Sequence, residues 1–311
     1  MSAGEFEARL LRVLDERYHH QHPFNLRMHA GKLSPEEIRT WVRNRYYYQT
    51  RIPIKDGLIL AKAQDPRFRR EWIRRIRDHD GEVEGTGGLA LWLGLAEAVG
   101  LDAAAVEELE DILPGVKRAC DAYVEFVKSH DLLESVASSL TELRAGELMR
   151  ARTAAWERHY AWVKREGLEY FQTRTRQAPT DAREGLSYVL EHARTPEDQE
   201  RCVAALTRKC EILWNLLDAV VAAHARPQLT RRAQMREDAT ESLVVLPERA
   251  VKLNASGLEI LSLCDGERTA EAIASELRGR NKDVAELESD VHRFLEEMTR
   301  LGVLEDARGA A

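Results

Sequence analysis

Cysteine is scarce and unpatterned in this chain. Cys120, Cys202, Cys210 and Cys264 stand far apart with no C-x-x-C spacing. Each falls in an apolar helical pattern where a thiol serves as a small hydrophobe, so all four read as reduced. No apolar run approaches the roughly 18 residues of a membrane span. The start, "MSAGEFEARLLRVLDERYHH", is a charged amphipathic helix without a signal peptide's apolar centre, which gives the cytoplasm and no membrane. Positive charge is not in excess either. A formal charge of -7 argues against a partner recognised by its phosphate backbone, so no nucleic acid is expected. Aromatic residues make up 6% of the chain, so each aromatic cluster stands out. H-E-x-x-H, G-x-S-x-G, the phosphate loop and the dinucleotide fingerprint are all absent.

What is present is a soluble globular composition, 44% hydrophobic and 32% charged, over 311 residues, enough for one large domain and a smaller companion. From Ser34 to about His224 one helical pattern follows another. Ser34, Pro35 and Glu37 form an N-cap, a first-turn proline and a capping box, and Thr195-Pro196 opens a helix in the same manner. Asp65-Pro66, Gly81, Gly87-Gly88, Gly100, Pro114-Gly115 and Ala178-Pro179 punctuate the stretch between. The spacing predicts an all-α bundle of about seven helices. After "HARPQLTRR" the grammar changes. Two β-type runs, Leu243 to Leu246 and Ala250 to Leu253, flank a Pro247-Glu248-Arg249 turn. Helical segments follow at Ser256 to Leu263, Ala270 to Arg278 and Val284 to Leu301, and "VLED" returns as a last strand. This predicts a small α+β winged-helix-like domain, with the boundary near Pro227: residues 1–226 and 227–311.

Polar residues recur on the helices at one-turn spacing. In "NRYYYQTRIPIKDG", Arg45 and Gln49 lie one above the other, and three consecutive tyrosines point about 100° apart, so they cannot all be core. Arg75 and His79 are four apart, as are Tyr170 and Arg174. Glu142, Met149 and Arg152 follow a near-heptad stripe, and Lys209 interrupts an apolar helix. A single such pair reads as a solvated face worth ~0.2 to 0.5 kcal/mol. Each of these, however, lies beside apolar or aromatic positions on a different helix, and turned inward they line one cavity. Arginines, a lysine, histidines and tyrosines suit a small polycarboxylate, because guanidinium groups grip carboxylates bidentately. Histidine and glutamate there exchange protons with the ligand. The cluster "YHHQHP" invites a metal reading through His19, His20 and His22, but the carboxylate-bridged di-metal bundles need two Glu-x-x-His pairs and only Glu16 to His19 has that spacing. Surface or capping duty is the alternative for these histidines, and His22, just before Pro23, is assigned it.

The stretches "YHHQHPFNLRMHAGKLS", "WVRNRYYYQTRIPIKDG", "RRIRDHDG", "ILPGVKRACDAYVEFV", "ASSLTEL", "EGLEYFQTRTRQA" and "KCEILWNLLDA" resemble, in order and spacing, the motifs of the pyrroloquinoline-quinone synthase (PqqC) family over Glu7 to Ala225. The C-terminal stretch "VVLPERAVKLNASGLEILSLCDGERTAEAIASEL" with "DVHRFLEEMTRLGVLE" resembles PqqD, a peptide-binding chaperone of the same pathway. The resemblance implies a compact seven-helix bundle of the haem-oxygenase-like type, working as a homodimer. It implies an oxidase with molecular oxygen as co-substrate and neither metal nor organic cofactor, which closes the last ring of a bicyclic amino-carboxylate precursor in an eight-electron oxidation and releases hydrogen peroxide. Carried over by motif, His79, Glu142, Tyr170, Arg174 and His19 are catalytic, and Tyr18, Arg45, Gln49, Arg75, Tyr123, Arg152 and Lys209 bind the substrate. The C-terminal domain would bind the precursor peptide and the radical enzyme of the pathway. One position departs from the pattern: Met149 stands where the family places a histidine of the oxygen site, and a thioether donates no hydrogen bond to a peroxide. Arg144 and Gly146 likewise replace an aromatic residue and a proline. Two other readings stay open: a paralogue, perhaps metal-dependent, acting on another peptide-derived substrate, and a non-catalytic carrier of a quinone or peptide.

Overall fold

The structure, a computed structural model, describes residues 1–237, 242–280 and 286–307. The chain divides into two units, Met1–Val220 and Val221–Ala311. The first is built from helices α1 (Ala3–Arg17), α2 (Pro23–His29), α3 (Pro35–Lys62), α4 (Pro66–Asp80), α5 (Gly87–Ala98), α6 (Ala103–Glu107), α7 (Pro114–Ser129), α8 (Leu132–Ser138), α9 (Glu142–His159), α10 (Glu169–His192) and α11 (Pro196–His224). The seven long helices expected between Ser34 and His224 are α3, α4, α5, α7, α9, α10 and α11. Three short ones, α2, α6 and α8, fill corners that no hydrophobic period announces.

Capping sets the helix starts. Ser34 accepts from the Glu37 amide while the Glu37 carboxylate accepts from Ser34 N at 2.8 Å, and Thr195 and Asp198 do the same for α11. Helix α3 lies at the centre, packed by α4, α5 and α7. This explains a misjudged face: Tyr46, Tyr47 and Tyr48 are all buried, because α3 is covered on every side over Asn44 to Gln49, although Ile54 further along it is exposed. The Tyr47 hydroxyl donates to the Asp121 carboxylate at 2.9 Å, which satisfies it without solvent. Pro179 does not punctuate the chain either. Helix α10 continues through it, as α3 does through Pro53, and its ring packs at the α9 crossing, where a Cβ on Gly146 would lie 3.6 Å from Pro179 Cγ. Packing on both sides outweighs the lost backbone bond. The core holds Trp41, Trp92, Trp156 and Phe171, with Trp41 5.5 Å from Trp92 and Trp156 5.3 Å from Phe171. The cysteines are buried and free, as composition suggested.

The second unit pairs β1 (Pro227–Leu229) with β5 (Leu304–Asp306), and orders β2 (Gln234–Glu237), β3 (Ser242–Leu246) and β4 (Arg249–Leu253) as an antiparallel sheet. Strands β3 and β4 are the expected hairpin, with Leu246 opposite Arg249, so Arg249 belongs to the strand and the turn is Pro247-Glu248. Strands β1 and β2 were not anticipated. Helices α12 (Ala255–Ser262), α13 (Ala270–Arg280) and α14 (Leu287–Arg300) cover a core of Val244, Leu246, Ile260, Ile273, Val291 and Leu295. The expected start of the last helix at Val284 lies outside the described residues.

Candidate active site

The one-turn pairs converge. A cavity of ≈ 40 Å³ in the first unit is lined by Tyr18, His19, Arg45, Tyr48, Gln49, Ile52, His79, Thr141, Glu142, Ala145, Met149, Tyr170, Arg174 and Leu213. Eight of the twelve residues singled out from sequence thus face one space, with Met149 beside them. Arg75, Tyr123, Arg152 and Lys209 are buried but stand outside this wall. Tyr48, Ile52, Thr141, Ala145 and Leu213 complete it without having been foreseen. Tyr48 could have been found, since Tyr48, Ile52 and Lys55 continue the helical stripe beside Arg45 and Gln49.

Each polar group is held by its element. His79 ends α4, where its Nδ1 donates to Arg75 O at 3.0 Å and fixes the tautomer, leaving Nε2 buried with no partner. The chain can turn away directly behind it because Gly81 adopts φ 84°, and a Cβ there would meet Thr86 O at 2.5 Å. Burial, then Arg174, pushes the His79 pKa down to about 4, so the ring is neutral with its lone pair free. Arg174 donates to Glu142 Oε2 at 2.7 Å and to Asp181 Oδ2 at 3.3 Å. Against the effect of burial, Arg174 holds the Glu142 carboxyl below its ordinary range. Tyr170 donates to Gln49 Oε1 at 2.9 Å. Burial, Arg45 and Arg152 keep His19 well below the usual imidazole range, and its carbonyl accepts from Asn25 Nδ2 at 2.7 Å. Arg152 donates to Asn25 Oδ1 at 3.1 Å, and burial beside Arg45 brings its pKa down to about 9. His22 caps α2 by accepting from Phe24 N, as expected of it, and its other nitrogen donates to Asp218 at 3.1 Å.

In and directly behind the cavity, Arg45, Lys55, Arg75, Arg152, Arg174 and Lys209 are buried, against the carboxylates of Asp56, Asp181 and the part-buried Glu142. Lys55 pairs with Asp56 at 2.7 Å, Trp72 Nε1 donates to Asp56 at 2.8 Å, and Arg75 donates to Asp181 O and stacks on Trp72 at 3.9 Å. Arg45 Nη1 and Arg152 Nε have no partner. Unpaired buried cations are expensive. The arrangement therefore offers a small polyanion a surplus of positive charge and several waiting donors. Among the described residues no three His, Cys, Asp or Glu side chains group to hold a metal ion, and no helix is long and apolar enough to cross a membrane.

Comparison with known proteins gives the same geometry a lineage. Residues 8–219 match the TENA/THI-4/PQQC family, and residues 241–304 match coenzyme PQQ synthesis protein D, PqqD. The chain is 49% identical to a pyrroloquinoline-quinone synthase of Rhizobium meliloti over 71% of its length and 87% of the relative's. It is 36% identical to the bifunctional coenzyme PQQ synthesis protein C/D of Methylorubrum extorquens, over 98% of this chain and 95% of the other. A TenA homologue from Pseudomonas syringae pv. tomato superposes with a TM-score of 0.58 at 14% identity, covering 71% of this chain and 96% of that one. A heme-oxygenase-like protein from Shewanella denitrificans gives 0.57 at 14%, covering 71% and 92%. With its helical unit matched almost throughout and a PqqD domain following in the order of the bifunctional relative, this chain belongs to the TENA/THI-4/PQQC family.

Proposed function

We propose that the chain is a pyrroloquinoline-quinone synthase: an oxidase that takes the bicyclic amino-carboxylate precursor and molecular oxygen, closes the last ring, removes eight electrons and releases hydrogen peroxide, with no metal or organic cofactor. The observation that carries this reading is the surplus of buried cations around the cavity. A polycarboxylate neutralises it, and the gain is largest where water is excluded. His79 is the first base. Its pKa of about 4 is low for the task, and an anionic ligand beside it raises it toward neutrality. Glu142 is a second acceptor, Tyr170 and Arg174 border the oxygen, and the other cavity residues, with Arg75, Tyr123 and Arg152, orient the substrate, while Lys209 acts on it through its hydrogen bond to Tyr48. A volume of ≈ 40 Å³ holds only a few waters. Binding therefore displaces side chains, and ligand carboxylates compete with Glu142 for Arg174.

The C-terminal unit, for which we place the boundary at residues 226/227, is proposed to receive the precursor peptide as an added strand and to meet the pathway's radical enzyme. The sheet β2-β3-β4 has edges that accept a strand. Consecutive residues of an edge strand point their amides alternately inward and outward, so of Met235→Pro and Arg236→Pro one blocks peptide binding and leaves the β2–β3 pairing intact. Equal calorimetric binding in both variants and in the unaltered chain would rule out the β2 edge, and no binding in any of them would make the module structural. The family likeness also supports a cytoplasmic homodimer, checked by light scattering.

Incubation of the full chain with the precursor, in air and in argon, tests the main reading: product absorbance grows in air only. Met149 favours one second reading, a metal-dependent paralogue with another substrate. Stoichiometric iron or manganese in the purified protein, with no product from this precursor, would select it.

A further inference from the structure

Ionisable side chains from different helices line the cavity. His79 enters from α4. From α3, Tyr48 lines the same space, and Lys209 Nζ of α11 is hydrogen-bonded to Tyr48 Oη at 2.8 Å. Lys209 is 1% exposed, and among the described residues it has no ion pair. Its Nζ sits 3.2 Å from the centroid of the Tyr123 ring, and Arg45 stacks on Tyr48 at 3.9 Å. Lys209 is not in the cavity wall, but its hydrogen-bond partner Tyr48 is.

We infer that Tyr48 is a catalytic acid–base residue of the oxidation and that Lys209 is its positioning residue and proton store, rather than a carboxylate ligand. This rests on the synthase reading. In the step, a ligand C–H bond breaks, its electron pair stays on the ligand as a stabilised anion, and the proton passes to Tyr48 Oη. The original Tyr48 proton passes to the Lys209 amine, which becomes the ammonium. No electron leaves the ligand in this step, so no oxidant is needed for it. The charges facing the pair work against an ammonium on Lys209. Arg45 and Lys55 on α3 oppose the ammonium, while Glu142 on α9 and Cys120 and Tyr123 on α7 face it with one carboxylate and two neutral groups. Burial first, then Lys55 and Arg45, puts Lys209 well below the ordinary lysine range, and burial keeps the Tyr48 phenol protonated. A ring closure with eight-electron oxidation releases more protons than His79 alone can take.

Single-turnover oxidation in air and anaerobic mixing with the precursor test the pair. Tyr48→Phe keeps the ring under Arg45 and is expected to slow oxidation about 100-fold. Lys209→Arg fixes a permanent positive charge there and cannot take a proton, so it is expected still to bind the precursor, to oxidise it slowly, and to lose the acidic limb of the rate–pH profile. Lys209→Met gives the same rate loss if the arginine variant does not fold. In argon, the wild type is expected to give the red-shifted spectrum of the deprotonated precursor, and Tyr48→Phe and Lys209→Met to lack it. Wild-type rates in Tyr48→Phe, or a Lys209→Arg variant with full activity and an unchanged pH profile, would overturn the proposal. Should the wild type form no product in air, the synthase reading falls, and the argon spectra still judge the pair: no difference between wild type and variants overturns it as well.

Discussion

The two units treat charge in opposite ways. In the helical unit arginines, lysines and carboxylates are buried, whereas in the C-terminal unit His292 is the sole buried polar or charged side chain among the described residues, and its ion pairs stand in solvent. Burying charge costs several kcal/mol per ion unless partners satisfy it. The C-terminal unit holds itself together with apolar side chains and leaves its backbone edges for recognition. The helical unit accepts a strained electrostatic interior, and the strain is located where the ligand belongs. If that contrast is functional, variants in the first unit should move activity and stability in different directions, and variants in the second should move neither by much.

The largest expected effect is on rate. His79→Ala removes a cavity-lining imidazole whose Nε2 has no hydrogen-bond partner, and product formation is expected to fall about 100- to 10,000-fold with the helical circular dichroism unchanged. Unaltered turnover would take His79 out of the mechanism.

Next come two arginines that look alike in sequence. Arg174 serves two carboxylates, and Arg174→Met strands Glu142 and Asp181, which is expected to destabilise the unit by about 3–5 kcal/mol. Arg152 has only the Asn25 amide and aromatic faces. Arg152→Met removes an uncompensated charge at similar volume, and is expected to stabilise the ligand-free protein by about 1–4 kcal/mol while weakening precursor binding. Every tryptophan and tyrosine lies at or before Trp214, so fluorescence-monitored urea unfolding reads the helical unit. Equal losses in both variants would erase the distinction.

Much of this was legible because α-helices advertise their faces. Capping residues at Ser34 and Thr195 located starts, one-turn pairs located five wall residues, the near-heptad stripe gave Glu142 and Met149, and the family resemblance gave Tyr18 and His19. Illegible parts have physical reasons. The tyrosine triad was misread because a single helix does not reveal how many neighbours surround it. Strands β1 and β2, "PQL" and "QMRE", are too short and too polar to alternate, and pairing alone makes them strands. Lys55, Asp56 and Asp181 were passed over, although Arg45, Gln49, Ile52 and Asp56 share a stripe and Asp181 stands two turns from Arg174. Asn25 gives no periodic signal at all, since its helix has seven residues.

Acid should expose the buried histidine. His79 falls from an ordinary 6.5 to about 4 in the folded protein, so between these values the unfolded chain binds more protons than the folded one. Its contribution is complete above pH 6.5 and is lost as pH falls toward 4. By pH 5 the loss is about 2 kcal/mol for this residue. His29, also brought to about 4 by burial and then Arg152, adds to the slope. The fluorescence midpoint in urea is expected to drop accordingly, and less so in His79→Gln. A midpoint flat from pH 7 to pH 5 would contradict the burial of both rings.

Met149 tests the oxygen side of the cavity more finely. Its side chain is in the wall with Glu142, and Thr153 Oγ1 bonds only its carbonyl, so the thioether has no structural hydrogen bond to lose. Met149→His adds a donor there. It is expected to speed the oxygen-dependent steps about tenfold, near 1.4 kcal/mol and below the ~2.7 to 4 kcal/mol lost when such a donor is deleted elsewhere. Precursor binding should change little. An unchanged rate in stopped-flow, with binding intact, would place the position outside the oxygen site.

The smallest effect is expected in the other unit, and its smallness matters. Arg278 of α13 meets Glu288 of α14 at 3.2 Å, with side chains 60% and 49% exposed. Water screens such a pair and its side chains lose entropy to form it, so its worth is of the order of 0.2–1 kcal/mol. The helices are joined instead by apolar contacts of Ile273, Leu277, Val291 and Leu295. Arg278→Ala should therefore shift the stability of this unit by less than about 0.5 kcal/mol, and salt should have little further effect on the variant. Amide exchange in α13 and α14 is the suitable measure, because no tryptophan or tyrosine lies in this unit. A loss of about 2 kcal/mol or more would mean that charge carries structure here as well, and the buried cations of the helical unit would then lose their standing as a mark of function.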